Sequence, residues 1–290
     1  MKHNTAHKLS ELETWVQGKR AELAREFQPS AARALRDTQV TCSDVAIAGV
    51  PCQTVSPHSG PTGEVVLYCF GGGYFSGCPE FDLPITAQLA HATGLTFIAP
   101  RYALAPEPPY PAALDEVEGV LTALMQDRET LIGVMGESAG GGLLLAALAR
   151  RARKGMPLPA KMVFCSPWTD LRDRGMEEAR SVDDPTLTVD DLVTARAIYR
   201  GTSTLNLEIS PSGHLPEARW PACFLTTGSD DILRWQTHDL KRQLDAHGTD
   251  VVFRDVPRAH HVFEVYDDHT ASRPMLAAIA EWLLETKEAA

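Results

Sequence analysis

Basic charge is scarce in this 290-residue chain: 27 lysines and arginines face 38 aspartates and glutamates, for a formal net charge of −11. A surface this acidic repels phosphate backbones and anionic headgroups, so neither nucleic acid nor membrane is expected as a partner. Long hydrophobic runs are missing too; none approaches the roughly 18 apolar residues of a membrane span. The start, Met1 to Thr5, is polar and leads into a charged amphipathic stretch. It lacks the apolar core of a secretory leader, and a cytoplasmic address is expected. The six cysteines (Cys42, Cys52, Cys69, Cys78, Cys165 and Cys223) are scattered without a C-x-x-C pair. That spacing offers neither a zinc knuckle nor a dithiol redox motif. Nor does the chain contain G-x-x-x-x-G-K-S/T, or a G-x-G-x-x-G opening a helix, so phosphates have no recognisable cradle.

What is present is a globular composition, 44% hydrophobic and 22% charged, without internal repeats. Leu9, Leu12, Trp15, Val16, Leu23 and Phe27 recur near the 3.6-residue period and predict an N-terminal helix. Pro29 is expected to end it, with Ala31 to Asp37 as a second short helix. Strands are expected at Asp44 to Val50 and Cys52 to Val55, broken by Pro51, and then at Glu64 to Phe70. Further strands are expected at Leu95 to Ala99, Leu131 to Met135, Lys161 to Cys165, Ala222 to Thr227 and Val251 to Val256. Helices are expected at Ala112 to Met125, Ala139 to Arg153, Gln236 to His247 and Pro274 to Thr286. Short apolar runs alternating with helices mark an α/β fold, a mostly parallel sheet covered on both faces. The stretch from Asp170 to Pro216 breaks this rhythm and reads as an insertion with one helix, Val189 to Tyr199. The N-terminal helices also stand outside the alternation, and the two pieces could pack together as a lid.

Four elements carry chemistry. Gly136-Glu137-Ser138-Ala139-Gly140 is a G-x-S-x-G between an apolar strand and a small-residue, Leu-rich helix. Such a turn strains the serine, while its glycines let neighbouring backbone approach. The hydroxyl would stand exposed at a helix N-terminus, where developing negative charge is stabilised. Phe70-Gly71-Gly72-Gly73-Tyr74 directly follows a buried strand, and three glycines there can aim backbone N–H groups at one point as an oxyanion hole. Past the strand at Ala222 to Thr227 come Asp230 and Asp231; past the next come His260 and His261. A nucleophilic serine needs a base to take its proton and an acid to fix the base's tautomer. An isolated Asp or His in such a place is most often a surface residue. The order Ser, Asp, His, each just beyond a strand, carries the reading.

With these elements the chain resembles the hormone-sensitive-lipase-like esterases of the α/β-hydrolase superfamily, which carry an H-G-G-G loop and a G-D-S-A-G elbow. The likeness extends to Leu104-Ala105-Pro106-Glu107, to Tyr110-Pro111-Ala112-Ala113-Leu114-Asp115, to Ser166-Pro167-Trp168-Thr169-Asp170-Leu171 and to Ser210-Pro211. It implies an eight-stranded core (41–170 and 217–290) under a helical cap built from residues 1–40 and 171–216. It implies hydrolysis of small, short-acyl carboxylic esters through an acyl-enzyme, with no metal or organic cofactor. Residue by residue, it makes Ser138 the nucleophile. Asp231 becomes the acid, because Asp231-Ile232-Leu233-Arg234 matches the family's D-P-L-R, and His261 the base, because His261-Val262-Phe263 matches H-G-F. The oxyanion donors would be the N–H groups of Gly72, Gly73 and Ala139; Tyr74, Phe75 and Val262 are the candidate substrate contacts.

Three departures stand out. Phe70 replaces the histidine of the glycine loop, which threatens the loop's order; Tyr74 or Phe75 is expected to repack around it. Arg101-Tyr102-Ala103 replaces the family's D-Y-R, so any ion pair there must be rebuilt or absent. Glu137 replaces the elbow's Asp and keeps the charge. Amidase, lactonase or acyltransferase chemistry would use the same triad, and a non-catalytic ligand receptor on the same scaffold is the reading from another class. Family members often pair through the last strand, which makes a homodimer through Val251 to Val256 the expected assembly.

Overall fold

The computed structural model describes residues 2–126 and 130–285, with side chains from Leu12 onward. One eight-stranded sheet has the order β1-β2-β4-β3-β5-β6-β7-β8. β1 (Val40–Ile47) and β2 (Val50–Pro57) form a hairpin, and β2 also runs antiparallel to β4 (Thr96–Pro100). The remaining strands, β3 (Val65–Cys69), β5 (Leu131–Glu137), β6 (Lys161–Cys165), β7 (Ala222–Gly228) and β8 (Val251–Val256), continue in parallel from β4. Every residue of β4, β6 and β7 is buried, as expected of parallel strands covered on both faces. β1, at one edge, is mostly exposed or half-buried.

The helices are α1 (Lys2–Asp37), α2 (Leu83–Thr93), α3 (Ala112–Leu124), α4 (Ser138–Arg153), α5 (Asp173–Ala179), α6 (Val189–Arg200), α7 (Arg234–Ala246) and α8 (Ser272–Leu284). Among them α2 packs on α1 and α8, and α3 on α4. The end of α8 is tied to the sheet by Lys161 of β6, whose Nζ donates to the carbonyls of Trp282, Leu283 and Glu285 at 2.7–2.8 Å. A buried lysine is tolerated there because the last carbonyls of a helix lack intrahelical partners and carry partial negative charge.

The structure departs from the sequence expectations in three places. Pro29 does not end the first helix but lies inside the continuous α1. It sits on the exposed face, and the turns on either side are held by buried Val16, Ala31 and Ala34. Tertiary packing there outweighs the lost hydrogen bond. Pro51 does not separate two strands: the chain turns at Ala48 and Gly49, both at positive φ, and Pro51 lies at the start of β2 opposite Ala46. A two-residue turn of this hand suits a twisted hairpin, and a proline near a strand's first residue costs little. α2 and α5 have no counterpart in the sequence reading, since both are short and weakly periodic. The side chain of Leu9 and the expected helix end at Thr286 lie outside the described residues.

The sheet order reverses at β3, which has β4 on one side and β5 on the other. Loops leaving adjacent strands diverge at such a switch point and open a crevice at their C-terminal ends. The glycine stretch leaves β3 and Ser138 leaves β5, so both face one crevice.

Candidate active site

Ser138 is the first residue of α4 and has φ +47, a left-handed backbone rarely adopted outside glycine. Its carbonyl accepts a hydrogen bond from the Trp168 N–H at 2.7 Å, which helps hold the turn. The turn also needs Gly140, where a Cβ would lie 2.1 Å from the Cys69 carbonyl oxygen. The Ser138 hydroxyl lies 2.9 Å from Nε2 of His261, and Nδ1 of His261 lies 3.0 Å from Oδ1 of Asp231. Asp231 is fully buried and also accepts from the Leu233 N–H (2.8 Å) and the Thr227 hydroxyl (2.9 Å). An ionised carboxylate only accepts, so Nδ1 carries the proton and Nε2 is left to accept from Ser138. Contrary to the sequence expectation, Ser138 is not solvent-facing: it is 7% exposed and reaches solvent through a cavity.

The neighbouring acid and base lie off this chain. Asp230 is exposed and accepts from the Ser229 hydroxyl. The ring of His260 stands edge-on to Tyr266 and His269.

Burial alone would raise the Asp231 carboxyl, but the charge of His261 and the hydrogen bonds outweigh it and leave Asp231 below the usual carboxylate range. For His261, burial disfavours the imidazolium, yet Asp231, Asp184 and Glu264 together lift it above its ordinary value.

The glycine stretch is held mainly through its carbonyls. Gly72, at φ +103, has its carbonyl bonded by the Ser76 hydroxyl at 2.6 Å and the Ser76 N–H at 3.0 Å. A Cβ on Gly72 would lie 2.3 Å from the Ser76 carbonyl oxygen, so glycine is required. The Phe70 ring is buried and stacks on Tyr102 at 4.2 Å between centroids, while the Tyr102 hydroxyl donates to the Phe70 carbonyl at 2.5 Å. The partner of Phe70 is therefore Tyr102 rather than Tyr74 or Phe75. Gly72 and Gly73 line the cavity; Ala139 is fully buried in the first turn of α4, where N–H groups have no intrahelical partner.

The ion pairs around the altered D-Y-R segment are rebuilt. Arg101 bonds Glu80 at 2.5 and 2.8 Å and Asp44 at 3.2 Å. Arg20 of α1 spans three acceptors: Nε donates to the Phe75 carbonyl at 2.7 Å, Nη2 to the Ala105 carbonyl at 3.0 Å, and the fork grips Glu107 at 2.7 and 2.8 Å. Beneath the glycine stretch, Glu137 accepts the Gly71 N–H and bonds Asp82, which also receives the Tyr68 hydroxyl at 2.7 Å. Burial and the mutual repulsion of the two carboxyls push Glu137 far up, and burial raises Asp82 to about 7. Both shifts favour the protonated form of the pair.

The cavity above Ser138 has a volume of about 190 Å³. Phe75, Val262 and Val265 form its wall near Ser138 and His261, Leu23 and Phe27 of α1 a second, and Leu187 and Leu192 a third. Of the expected substrate contacts, Phe75 and Val262 lie on this lining. Tyr74 does not; its ring is buried, stacked on Tyr199 at 3.8 Å and tilted against Trp168. Among the described residues no three His, Cys, Asp or Glu side chains gather as a metal site would require, and no helix is long and apolar enough to cross a membrane. Asp184, Arg20, Tyr102 and Asp82 were not singled out from the sequence. Each acts across a long sequence separation, and only Tyr102 stands beside a motif that could have flagged it.

A mostly parallel sheet with a strained serine at a strand-to-helix turn defines an α/β hydrolase, and residues 66–265 match the family model described as the alpha/beta hydrolase fold. The chain belongs to that family, within its hormone-sensitive-lipase-like esterase branch. It is similar to LipR of Mycobacterium tuberculosis, which carries an acetyl-hydrolase name, at 35% identity over 65% of this chain and 62% of that protein. An acetyl-hydrolase of Streptomyces hygroscopicus is 30% identical over 70% of this chain and 69% of its own length. A crystal structure of a hormone-sensitive lipase from a metagenome library superimposes with a TM-score of 0.76 at 28% identity, covering 94% of this chain and 97% of that one.

Because Phe70 is packed on Tyr102, restoring the family's histidine should not help: Phe70→His is expected to be neutral or harmful to kcat. Steady-state kinetics on a short-chain ester check this, and a tenfold gain would show that the native loop is poorly ordered.

Proposed function

We propose that the protein is a serine hydrolase of small carboxylic esters. The observation that carries the reading is the hydrogen-bonded chain Ser138–His261–Asp231 opening into a small cavity beside the glycine stretch. Ser138 Oγ attacks the acyl carbon while His261 Nε2 takes its proton and Asp231 stabilises the imidazolium. The N–H groups of Gly72, Gly73 and Ala139 receive the oxyanion. His261 then returns the proton to the leaving alkoxide. Water, activated by the same imidazole, cleaves the acyl-enzyme and frees Ser138.

A cavity of about 190 Å³ suits a short acyl group, in keeping with relatives named as acetyl-hydrolases. Amide, lactone and acyl-transfer chemistry share these steps and differ in what leaves or attacks. We assign α1 and residues 171–216 to a cap over the cavity, with 41–170 and 217–290 as the core; both cap pieces contribute cavity lining. The six cysteines are free thiols, in keeping with the reducing cytoplasm in which we place the protein.

β8 closes the sheet with an outer edge whose valines and Phe253 are half-buried. A second copy paired on that edge would cover it, and we propose a homodimer. Light scattering at tens of micromolar protein should give twice the chain mass; a monomer counts against it.

Turnover of p-nitrophenyl acetate tests the main reading. Ser138→Ala should reduce kcat by several orders of magnitude, and Asp231→Asn should cost far more than Asp230→Asn. A tenth of native activity in Ser138→Ala would sink the assignment.

The same assay across pH follows the base. His261 acts only when neutral, and its folded value is raised above the ordinary 6.5. Activity should therefore be full on the alkaline side and fall through a midpoint above 6.5 as pH drops. A rate flat from about pH 8 to 5 excludes a histidine base.

A further inference from the structure

Asp184 lies between α5 and α6, in the segment that crosses over the cavity, and is 8% exposed. Its Oδ1 accepts the Thr186 N–H at 2.9 Å and the Thr186 hydroxyl at 2.7 Å, a local turn that fixes the carboxylate. Its Oδ2 accepts two backbone N–H groups from different loops, Ile232 at 3.0 Å and His261 at 3.1 Å. Ile232 directly follows Asp231, so one oxygen reaches the backbone of both loops that carry the acid and the base. Those loops leave β7 and β8 beyond the last rungs of the sheet, where Ser229 N–H to the Val256 carbonyl (2.8 Å) and Asp230 N–H to the Ala259 carbonyl (2.9 Å) still couple them. Past that point the loops must be held in register by side chains.

We propose that Asp184 is a positioning residue that staples the acid loop to the base loop from above, holding Asp231 and His261 at relay distance. The inference rests on the triad reading given above. Without the carboxylate, two buried N–H groups lose their acceptor, and the loops are free to drift by tenths of an ångström. The imidazole of His261 and the groups behind it respond to such drift because Ser138, on a different element, stays fixed by the elbow.

The staple also carries charge. The groups facing His261 are Ser138 from α4, Asp231 from the loop after β7, Asp184 from the insertion and Glu264 from its own segment. Asp184 is among the charges that favour the imidazolium. Replacing it with asparagine keeps an oxygen for Ile232 and His261 and leaves an NH₂ that can donate to the Thr186 hydroxyl. Only the Thr186 N–H bond is lost, along with the charge. The base should then protonate at lower pH.

The test measures p-nitrophenyl acetate turnover from about pH 5 to 9 for the full chain, Asp184→Asn and Asp184→Ala, together with the rate at which a fluorophosphonate labels Ser138. Asp184→Ala should lose at least about tenfold in plateau kcat and in labelling rate, with KM within roughly threefold. Asp184→Asn should recover most of the plateau, with its acid limb moved to lower pH. A purely structural role would not move that limb. Native kcat in Asp184→Ala, or equal loss in both variants with an unmoved limb, overturns the proposal. Should Asp184→Ala fail to fold by circular dichroism, the limb of Asp184→Asn decides alone. Labelling of Ser138 in the native chain with unaltered rates in both variants overturns the staple and leaves the triad standing. Absence of labelling in the native chain overturns both.

Discussion

The site depends first on one backbone dihedral. Ser138 at φ +47 costs about 1–3 kcal/mol relative to an ordinary conformation. That cost is carried by the deep burial of α4, whose residues Ser138 to Ala149 are all buried. The same turn dictates the glycines around it: α4 comes so close to the end of β3 that any side chain at Gly140 would strike the carbonyls of Cys69 and Phe70. The elbow and the glycine stretch are thus one packing unit. Displacing either moves the other, which keeps the proposed nucleophile and oxyanion donors at a constant separation.

Buried carboxyls on the two sides of Ser138 are held in opposite states by their neighbours. Asp231 receives hydrogen bonds from His261, Thr227 and the Leu233 backbone, and remains ionised although fully buried. Glu137 faces Asp82 and, further off, Glu264, so repulsion adds to burial and the carboxyl retains its proton. The contrast serves the proposed chemistry. A permanent charge behind His261 stabilises the imidazolium, whereas a charge beneath Gly71 would oppose the oxyanion gathering above it. Retaining a carboxyl at Glu137 therefore preserves a neutral hydrogen-bonding group more than it preserves a charge, which changes the meaning of the Asp-to-Glu departure in the elbow.

Much of the core was legible because its inner strands are buried on both faces and so read as nearly unbroken apolar runs, as at Lys161–Cys165, which coincides with β6. Val251–Val256 coincides with β8, a half-buried edge strand whose apolar residues are interrupted by Arg254 and Asp255. The elbow was legible for a related reason: close packing at a turn demands glycines at set positions. Pro29 and Pro51 misled because local propensity was outweighed by packing of the flanking residues. Arg20, Asp184 and Asp82 left no local trace. A polar side chain whose partners lie 48 to 87 positions away, as for Asp184 and Arg20, looks like any surface residue until the chain is folded.

The replacement of the loop histidine by Phe70 becomes intelligible from where the glycine stretch is gripped. Tyr102 takes hold of the Phe70 carbonyl, Ser76 of the Gly72 carbonyl and Arg20 of the Phe75 carbonyl. A trans peptide points its C=O and N–H to opposite sides, so fixing a carbonyl fixes the following N–H without touching it. Holding the Phe70 carbonyl aims the Gly71 N–H at Glu137, which accepts it. Holding the Gly72 carbonyl likewise sets the direction of the Gly73 N–H. Order that a histidine side chain could have supplied is distributed here over a tyrosine, a serine and an arginine borrowed from α1. The arginine adds a consequence of its own: the helix walling the cavity is bonded to the far end of the loop beside Ser138. A shift of α1 that widens the cavity also pulls on the Phe75 carbonyl. Access and the geometry of the proposed oxyanion donors are therefore coupled through one guanidinium.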